Sequence, residues 1–151
     1  MNFDLTEEQK MIQQTAREFA EGEIAPSVIE RDREAKFPTE IVKQLGELGF
    51  MGMMVPEEYD GAGMDTVSYA LAMMEISKVD ASVGVIMSVN NSLVNFGLEK
   101  YGSDYIKETY LKPLARGEKL GAFALSEPEA GSDATHQQTY ATKEGDYWVL
   151  N

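Results

Sequence analysis

Apolar residues recur at helical spacing through the first two thirds of the chain. Ile12, Ala16, Phe19, Ala20 and Ile24 form one stripe. Ahead of them, Thr6-Glu7-Glu8-Gln9 fits a capping box, in which the Thr hydroxyl and the Gln side chain each satisfy an orphan amide. Pro26 suits the first position of a short second helix that ends near Glu30-Arg31-Asp32-Arg33-Glu34. The alternating signs of that run predict a solvated helix face rather than a catalytic carboxylate cluster. Pro38-Thr39 opens a third helix with Ile41, Leu45 and Leu48 inward, and Gly49 stops it. Pro56, Gly61 and Gly63 break all periodicity over 50–64, which predicts a loop. Asp65 and Asp80 are N-cap candidates for helices at about 66–78 and 81–101. The second of these is apolar on most faces over 81–89, so it is buried on most faces or lines a pocket. Ser103 caps a last helix, which Gly117 ends.

The pattern then changes from helical to β-type. Gly121 to Leu125 is small and apolar and predicts a strand ending at Leu125, and Glu127 to Ser132 is loop-like. Gln138 to Lys143 and Tyr147 to Asn151 flank Glu144-Gly145-Asp146 and predict a hairpin, with Tyr140, Tyr147, Trp148 and Val149 supplying β-favouring bulk. The fold class is therefore mainly α: an all-α helical domain over 1–119, then the opening strands of an incomplete β domain over 120–151. Three short strands leave an open edge and too little surface for a core of their own. The expectation is that 1–151 belongs to a longer polypeptide, or completes its sheet with another chain.

Composition narrows the chemistry. A chain of 151 residues with 43% hydrophobic and 26% charged residues is globular, with room for one domain and part of a second. The net charge of −13 opposes a nucleic-acid backbone or an anionic membrane surface as the main partner. The absence of cysteine excludes disulfides, a thiolate nucleophile and thiolate metal sites, and a single histidine, His136, excludes any metal site needing two imidazoles. Met1-Asn2-Phe3-Asp4 followed by Glu7 and Glu8 has neither a basic segment nor an apolar one, and the apolar stretches Phe50 to Val55 and Val83 to Val89 are shorter than the roughly 18 residues of a spanning helix. These features predict a cytoplasmic protein.

Nucleophilic catalysis has little support, since His136 in Thr135-His136-Gln137 is the one imidazole and reads as a surface residue, as do Glu57-Glu58. There is neither a P-loop nor a G-x-G-x-x-G motif. The informative segment is Phe123-Ala124-Leu125-Ser126-Glu127-Pro128-Glu129-Ala130-Gly131-Ser132-Asp133. Its small residues at 130–132 allow a backbone to approach a planar ligand with free amides, which suits a hydride-accepting heterocycle. A strand-to-loop corner capped by Ser126 and Asp133 accounts for the same residues without a ligand.

Leu125-Ser126-Glu127-Pro128-Glu129-Ala130-Gly131-Ser132-Asp133 resembles the first signature of the acyl-CoA dehydrogenase family. Three further segments resemble the family in the same order: Asp4 to Gln9, the loop Val55-Pro56-Glu57-Glu58-Tyr59-Asp60-Gly61-Ala62-Gly63, and Tyr110 to Glu118. Val85 to Leu93 is similar to the short-chain, butyryl-CoA branch. His136 departs from the pattern, where a small residue is usual three places after the signature Asp, and this puts the packing of that loop in question.

The resemblance implies an N-terminal helical domain, a middle β domain and a C-terminal helical bundle, assembled as a homotetramer. It implies FAD as cofactor, an acyl-CoA thioester as substrate and electron-transfer flavoprotein as electron acceptor. In the family a glutamate takes the α-proton of the thioester while the β-hydrogen leaves as hydride to flavin N5. Carried over by position, Phe123, Ala124, Leu125 and Ser126 line the flavin, with the Ser126 hydroxyl at its N5 edge. Gly131 and Ser132 follow on the same loop, Ser132 also meeting the substrate, and Ile86 and Val89 line the acyl pocket. The glutamate base is expected in the C-terminal bundle, so no catalytic residue is assigned to this chain. Two rivals remain: a flavin oxidase or monooxygenase on the same scaffold, and a non-catalytic helical interaction module.

Overall fold

The computed structural model describes residues 4–151, so the expectation placed on Met1-Asn2-Phe3 lies outside the described residues. The capping box forms as read: the Thr6 hydroxyl accepts from the Gln9 amide at 3.1 Å, and the Gln9 side chain accepts from the Thr6 amide at 3.0 Å. It starts α1 (Glu7–Phe19), which runs through a π-helical turn (Ala20–Ile24) and a 3-10 turn (Ala25–Ser27) into α2 (Val28–Glu34). Pro26 lies in the 3-10 turn rather than at the first position of α2, and its missing amide interrupts the ladder where the run passes from π-helical to 3-10. The stripe Ile12, Ala16, Ala20 and Ile24 is buried, with Phe19 packed against it.

Within the charged run 30–34 the solvated-face reading holds for four residues and fails for Arg31, which is 9% exposed. Its guanidinium donates to the Ile24 carbonyl, to the Ser27 hydroxyl and, at 2.7 Å, to Asp80 Oδ2. Asp80 caps the next helix pair with its other oxygen, accepting from the Ser82 and Val83 amides at 2.9 and 3.3 Å. One ion pair therefore ties the end of the α1–α2 run to the elbow between α4 (Thr66–Val79) and α5 (Ala81–Ser88).

In α3 (Thr39–Glu47), Ile41, Val42 and Leu45 are buried. Leu48 was expected inward and is 40% exposed, because it follows the last helical turn and faces away as the chain bends at Gly49. The 50–64 stretch is irregular apart from a 3-10 turn at Glu57–Tyr59. It is not peripheral, however: Phe50, Met51, Met53 and Val55 are at most 2% exposed. A Cβ on Gly61 would lie 2.0 Å from the Val55 carbonyl oxygen, so glycine is what lets this loop fold back on itself.

α5 continues through a π-helical turn (Val89–Asn95) into α6 (Phe96–Tyr101), one run matching the expected 81–101. By length and composition this 21-residue run could cross a membrane, which its shorter apolar stretches did not suggest. In the structure Val83, Met87, Asn90, Asn91 and Asn95 are buried against the other helices and the 50–55 loop. The chain then forms α7 (Asp104–Ile106), capped by Ser103, a π-helical turn (Lys107–Leu111) and α8 (Lys112–Ala115). Gly117, at φ 71°, ends that run.

Beyond it the described structure holds one antiparallel pair, β1 (Ala141–Glu144) and β2 (Tyr147–Leu150), in the register Ala141 opposite Leu150 and Glu144 opposite Tyr147. Tyr140 and Asn151 extend the pair by two backbone hydrogen bonds of 3.1 and 3.0 Å, and Gly145 turns the hairpin at φ 62°. The strand expected at 121–125 does not form, because β propensity without a neighbouring strand gives the backbone nothing to pair with.

Candidate functional site

The loop that carries the signature is held by its own residues. Glu127 and Ala130 exchange backbone hydrogen bonds of 3.0 and 3.2 Å across the Pro128 turn, and Ala130 is buried. The Glu127 carboxylate accepts from the amides of Gln138 at 2.6 Å and Thr139 at 3.2 Å. Hydrogen bonding from Thr139 first, then from the Gln138 amide, holds this carboxyl below the ordinary glutamate range. Gln137 Nε2 donates to the Leu125 carbonyl at 2.7 Å. The strand-like segment and the far side of the loop are thus closed into one unit by Glu127 and Gln137. Neither residue was singled out in the sequence, where ten or eleven intervening positions conceal the pairing.

Asp133 ends the loop. It accepts from the Thr135 hydroxyl and amide, and its other oxygen meets His136 Nδ1. Hydrogen bonding from Thr135 and then His136 pulls the Asp133 carboxyl down. His136, the departure from the family pattern, is accommodated on the surface by this contact.

Inside this frame lie the expected ligand-facing residues. Phe123, Ala124, Leu125, Ser126, Gly131 and Ser132 are all exposed, Phe123 by 51% and Leu125 by 43%. Among the described residues, the amides of Phe123 to Ser126 and the hydroxyls of Ser126 and Ser132 make no hydrogen bond within the chain. A Cβ on Gly131 would meet nothing within 4 Å. The segment therefore offers apolar faces, unspent donors and open room, the combination that fits one side of a flat heterocycle with polar edges.

Ile86 and Val89 lie on the 81–101 helix run. Ile86 lines a groove of about 880 Å³ with Ile29, Phe37, Asp80 and Val85, while Val89 begins the π-helical turn and is half-buried. Among the described residues, no group of three or more His, Asp or Glu could hold a metal ion.

The asparagines of the π-helical turn were missed in the sequence reading. Asn91 Nδ2 donates to the Phe50 and Met87 carbonyls at 2.8 and 2.9 Å, and its oxygen accepts from the Met53 amide at 2.9 Å. Asn95 Nδ2 donates to the Met51 carbonyl at 2.8 Å. Asn90 donates to the Met51 and Leu114 carbonyls at 2.8 and 3.2 Å and accepts from the Gly121 amide at 2.9 Å. These carboxamides replace the backbone pairing that an irregular buried loop lacks.

Residues 6–118 match the model of the acyl-CoA dehydrogenase N-terminal domain. The chain belongs to the acyl-CoA dehydrogenase family. It is 51% identical over 148 residues to the mitochondrial short-chain specific acyl-CoA dehydrogenase of Mus musculus, covering 98% of this chain and 36% of that protein. The structure of butyryl-CoA dehydrogenase from Megasphaera elsdenii superposes with a TM-score of 0.93 at 41% identity, over 100% of this chain and 40% of that one. A chain from work on the electron transferring flavoprotein of Acidaminococcus fermentans gives 0.96 at 46% identity, with 100% and 40% covered. A glutaryl-CoA dehydrogenase from Mycobacterium smegmatis in complex with FADH2 gives 0.92 at 36% identity, with 97% and 38% covered. The chain thus spans about two fifths of the length of these acyl-CoA dehydrogenase relatives.

Proposed function

We propose that this chain is the N-terminal portion of an FAD-dependent acyl-CoA dehydrogenase that converts short-chain acyl-CoA thioesters to trans-2-enoyl-CoA and passes the electrons to electron-transfer flavoprotein. Residues 1–119 are the helical domain and 120–151 the start of the middle β domain, and the complete protein is a cytoplasmic homotetramer. The observation that carries the reading is the run Phe123–Ser126, exposed and with unspent donors, set in the family signature on a helical layer that superposes on butyryl-CoA dehydrogenase.

Bound against this segment, FAD supplies a two-electron acceptor for hydride. Phe123 and Leu125 cover apolar ring surface and keep water from it. The Ser126 hydroxyl and the neighbouring amides donate where negative charge gathers during the reaction. Gly131 leaves the loop backbone open to close approach, and Ser132 offers a hydroxyl to cofactor or substrate. Ile86 and Val89 limit the acyl pocket by their branched bulk. No carboxylate here serves as the base that takes the α-proton. Glu75 and Glu127 are engaged by hydrogen bonds elsewhere, and the base belongs to the polypeptide outside this chain.

The test is anaerobic titration of the complete polypeptide with butyryl-CoA, followed by flavin absorbance. Bleaching that persists until an electron acceptor is added supports the dehydrogenase. Rapid recolouring by oxygen points to the oxidase or monooxygenase, and a flavin-free protein points to an interaction module.

A further inference from the structure

The segment that carries Phe123 and Ser126 has no strand partner and no backbone hydrogen bonds of its own before Leu125. Such a stretch takes its position from wherever it is anchored upstream. The anchor is Gly121. Its amide donates to Asn90 Oδ1 at 2.9 Å, and it lies so close to the helix that an added Cβ would sit 2.7 Å from Val94 Cγ1 and 2.9 Å from Val94 Cβ and Cγ2. Among the described residues, the Gly121–Asn90 bond is the one hydrogen bond between the 81–101 helix run and the 121–126 segment.

Asn90 is itself held from both sides. It is fully buried, and its amide group is held by the carbonyls of Met51 and Leu114. It directly follows Val89 in the π-helical turn, a local distortion that frequently marks functional positions in helices.

We propose that Asn90, Val94 and Gly121 form a positioning joint that fixes the flavin-lining segment 123–126 relative to the helix bearing Ile86 and Val89. The inference rests on the functional reading above and adds residues that touch neither cofactor nor substrate. Asn90 supplies the hydrogen bond, Val94 the wall, and Gly121 the absence of a side chain that lets the segment seat against both. Displacing the seat by the width of a methyl group would shift Phe123 and Ser126 relative to Ile86 and Val89 without altering any of the four.

The test uses the complete polypeptide that carries this chain, as wild type, Gly121→Ala, Val94→Ala and the double variant. Three quantities are measured on each: amide exchange of the 119–125 segment, FAD affinity of the apoprotein by fluorescence quenching, and the rate of flavin reduction by butyryl-CoA. Gly121→Ala is expected to speed exchange of the segment, to weaken FAD binding roughly tenfold and to slow reduction by a similar factor, since about 1.4 kcal/mol of misplacement is tenfold. Val94→Ala on that background removes the contacts to Cγ1 and Cγ2 but leaves Cβ at 2.9 Å, so it recovers a clear part of each of the three losses. An unprotected Gly121 amide in the wild type overturns the joint, as does Gly121→Ala with unchanged FAD affinity, or a loss that Val94→Ala fails to recover. A wild-type protein that takes up no FAD overturns the functional reading instead, and the exchange data still decide separately whether Gly121 is held.

Discussion

Glu127 Oε2 accepts from the Gln138 amide at 2.6 Å, closing the loop 127–138 that holds most of the family signature. The same carboxylate reaches the Thr139 amide, so a single side chain replaces a strand partner for both. Glu127→Gln leaves one acceptor oxygen and, with that oxygen in the place of Oε2, turns its amide group towards the Thr139 donor. The expected outcome is loss of order at Gln138 and Thr139, read as collapsed amide dispersion in NMR spectra. Because hydrogen bonding lowers the folded pKa of Glu127, the clamp is complete above the unfolded value of about 4.3 and opens as the pH falls through the lower folded value. The Gln138 and Thr139 resonances should therefore titrate below the ordinary glutamate range in the wild type and stay fixed in the variant.

Glu75 gives a second pH-dependent contribution. Arg17 grips it with two nitrogens at 2.9 and 3.2 Å, and Gln13 adds a third donor at 3.0 Å. Arg17 hydrogen bonding is the main reason the Glu75 carboxyl is depressed, against the opposing effect of burial. A depressed carboxylate stabilises the fold above its unfolded pKa and loses that contribution as the pH falls through the folded one. Urea midpoints should show Glu75→Gln weaker than wild type at about pH 7 and the two converging as the pH falls through the depressed folded value. Part of Arg17 is in water, so the separation is modest.

Arg31→Ala should be far more damaging. It strips the partner from Asp80, whose side chain is 13% exposed, and leaves a carboxylate buried at the α4–α5 elbow. Breaking a buried pair from one side costs about 3–5 kcal/mol. Chemical denaturation of Arg31→Ala against wild type checks this, and Asp80→Asn, which keeps an oxygen for the Ser82 and Val83 amides, should lose less.

Ser126→Ala addresses the proposed chemistry. The hydroxyl has no partner within the chain, so the melting temperature should be unchanged. If it donates to charge that develops on the flavin, its removal costs about 1.5–3 kcal/mol in the transition state. Stopped-flow reduction of the complete enzyme by butyryl-CoA should then slow roughly ten- to hundredfold. An unchanged rate with a lower melting temperature would make Ser126 a structural corner.

What was legible in the sequence was local. Thr6 and Gln9 lie three residues apart, and Asp65 and Asp80 cap amides two or three positions on, so the pattern and the contact coincide. Arg31 was misread because the partner that buries it is 49 residues away. Phe50 to Val55 fell in the predicted 50–64 loop, and its burial was not legible because Asn90, Asn91 and Asn95 satisfy its backbone from another element. Gly121 to Leu125 had β propensity but no neighbour to pair with. The expectation that Phe123 to Ser132 face a ligand came from resemblance, since spacing alone favoured a plain loop corner.

The hairpin has a colloidal consequence. Tyr140, Tyr147, Trp148 and Leu150 are 63%, 78%, 66% and 72% exposed, on a two-stranded ribbon whose outer edges have unpaired backbone groups among the described residues. Such an edge is a template for pairing with further copies. The chain's charge of −13 keeps copies apart, but only over a screening length of about 8 Å at physiological ionic strength. For the 151-residue chain handled alone, added salt should therefore act as a precipitant, raising light scattering at concentrations that leave the helical circular dichroism unchanged.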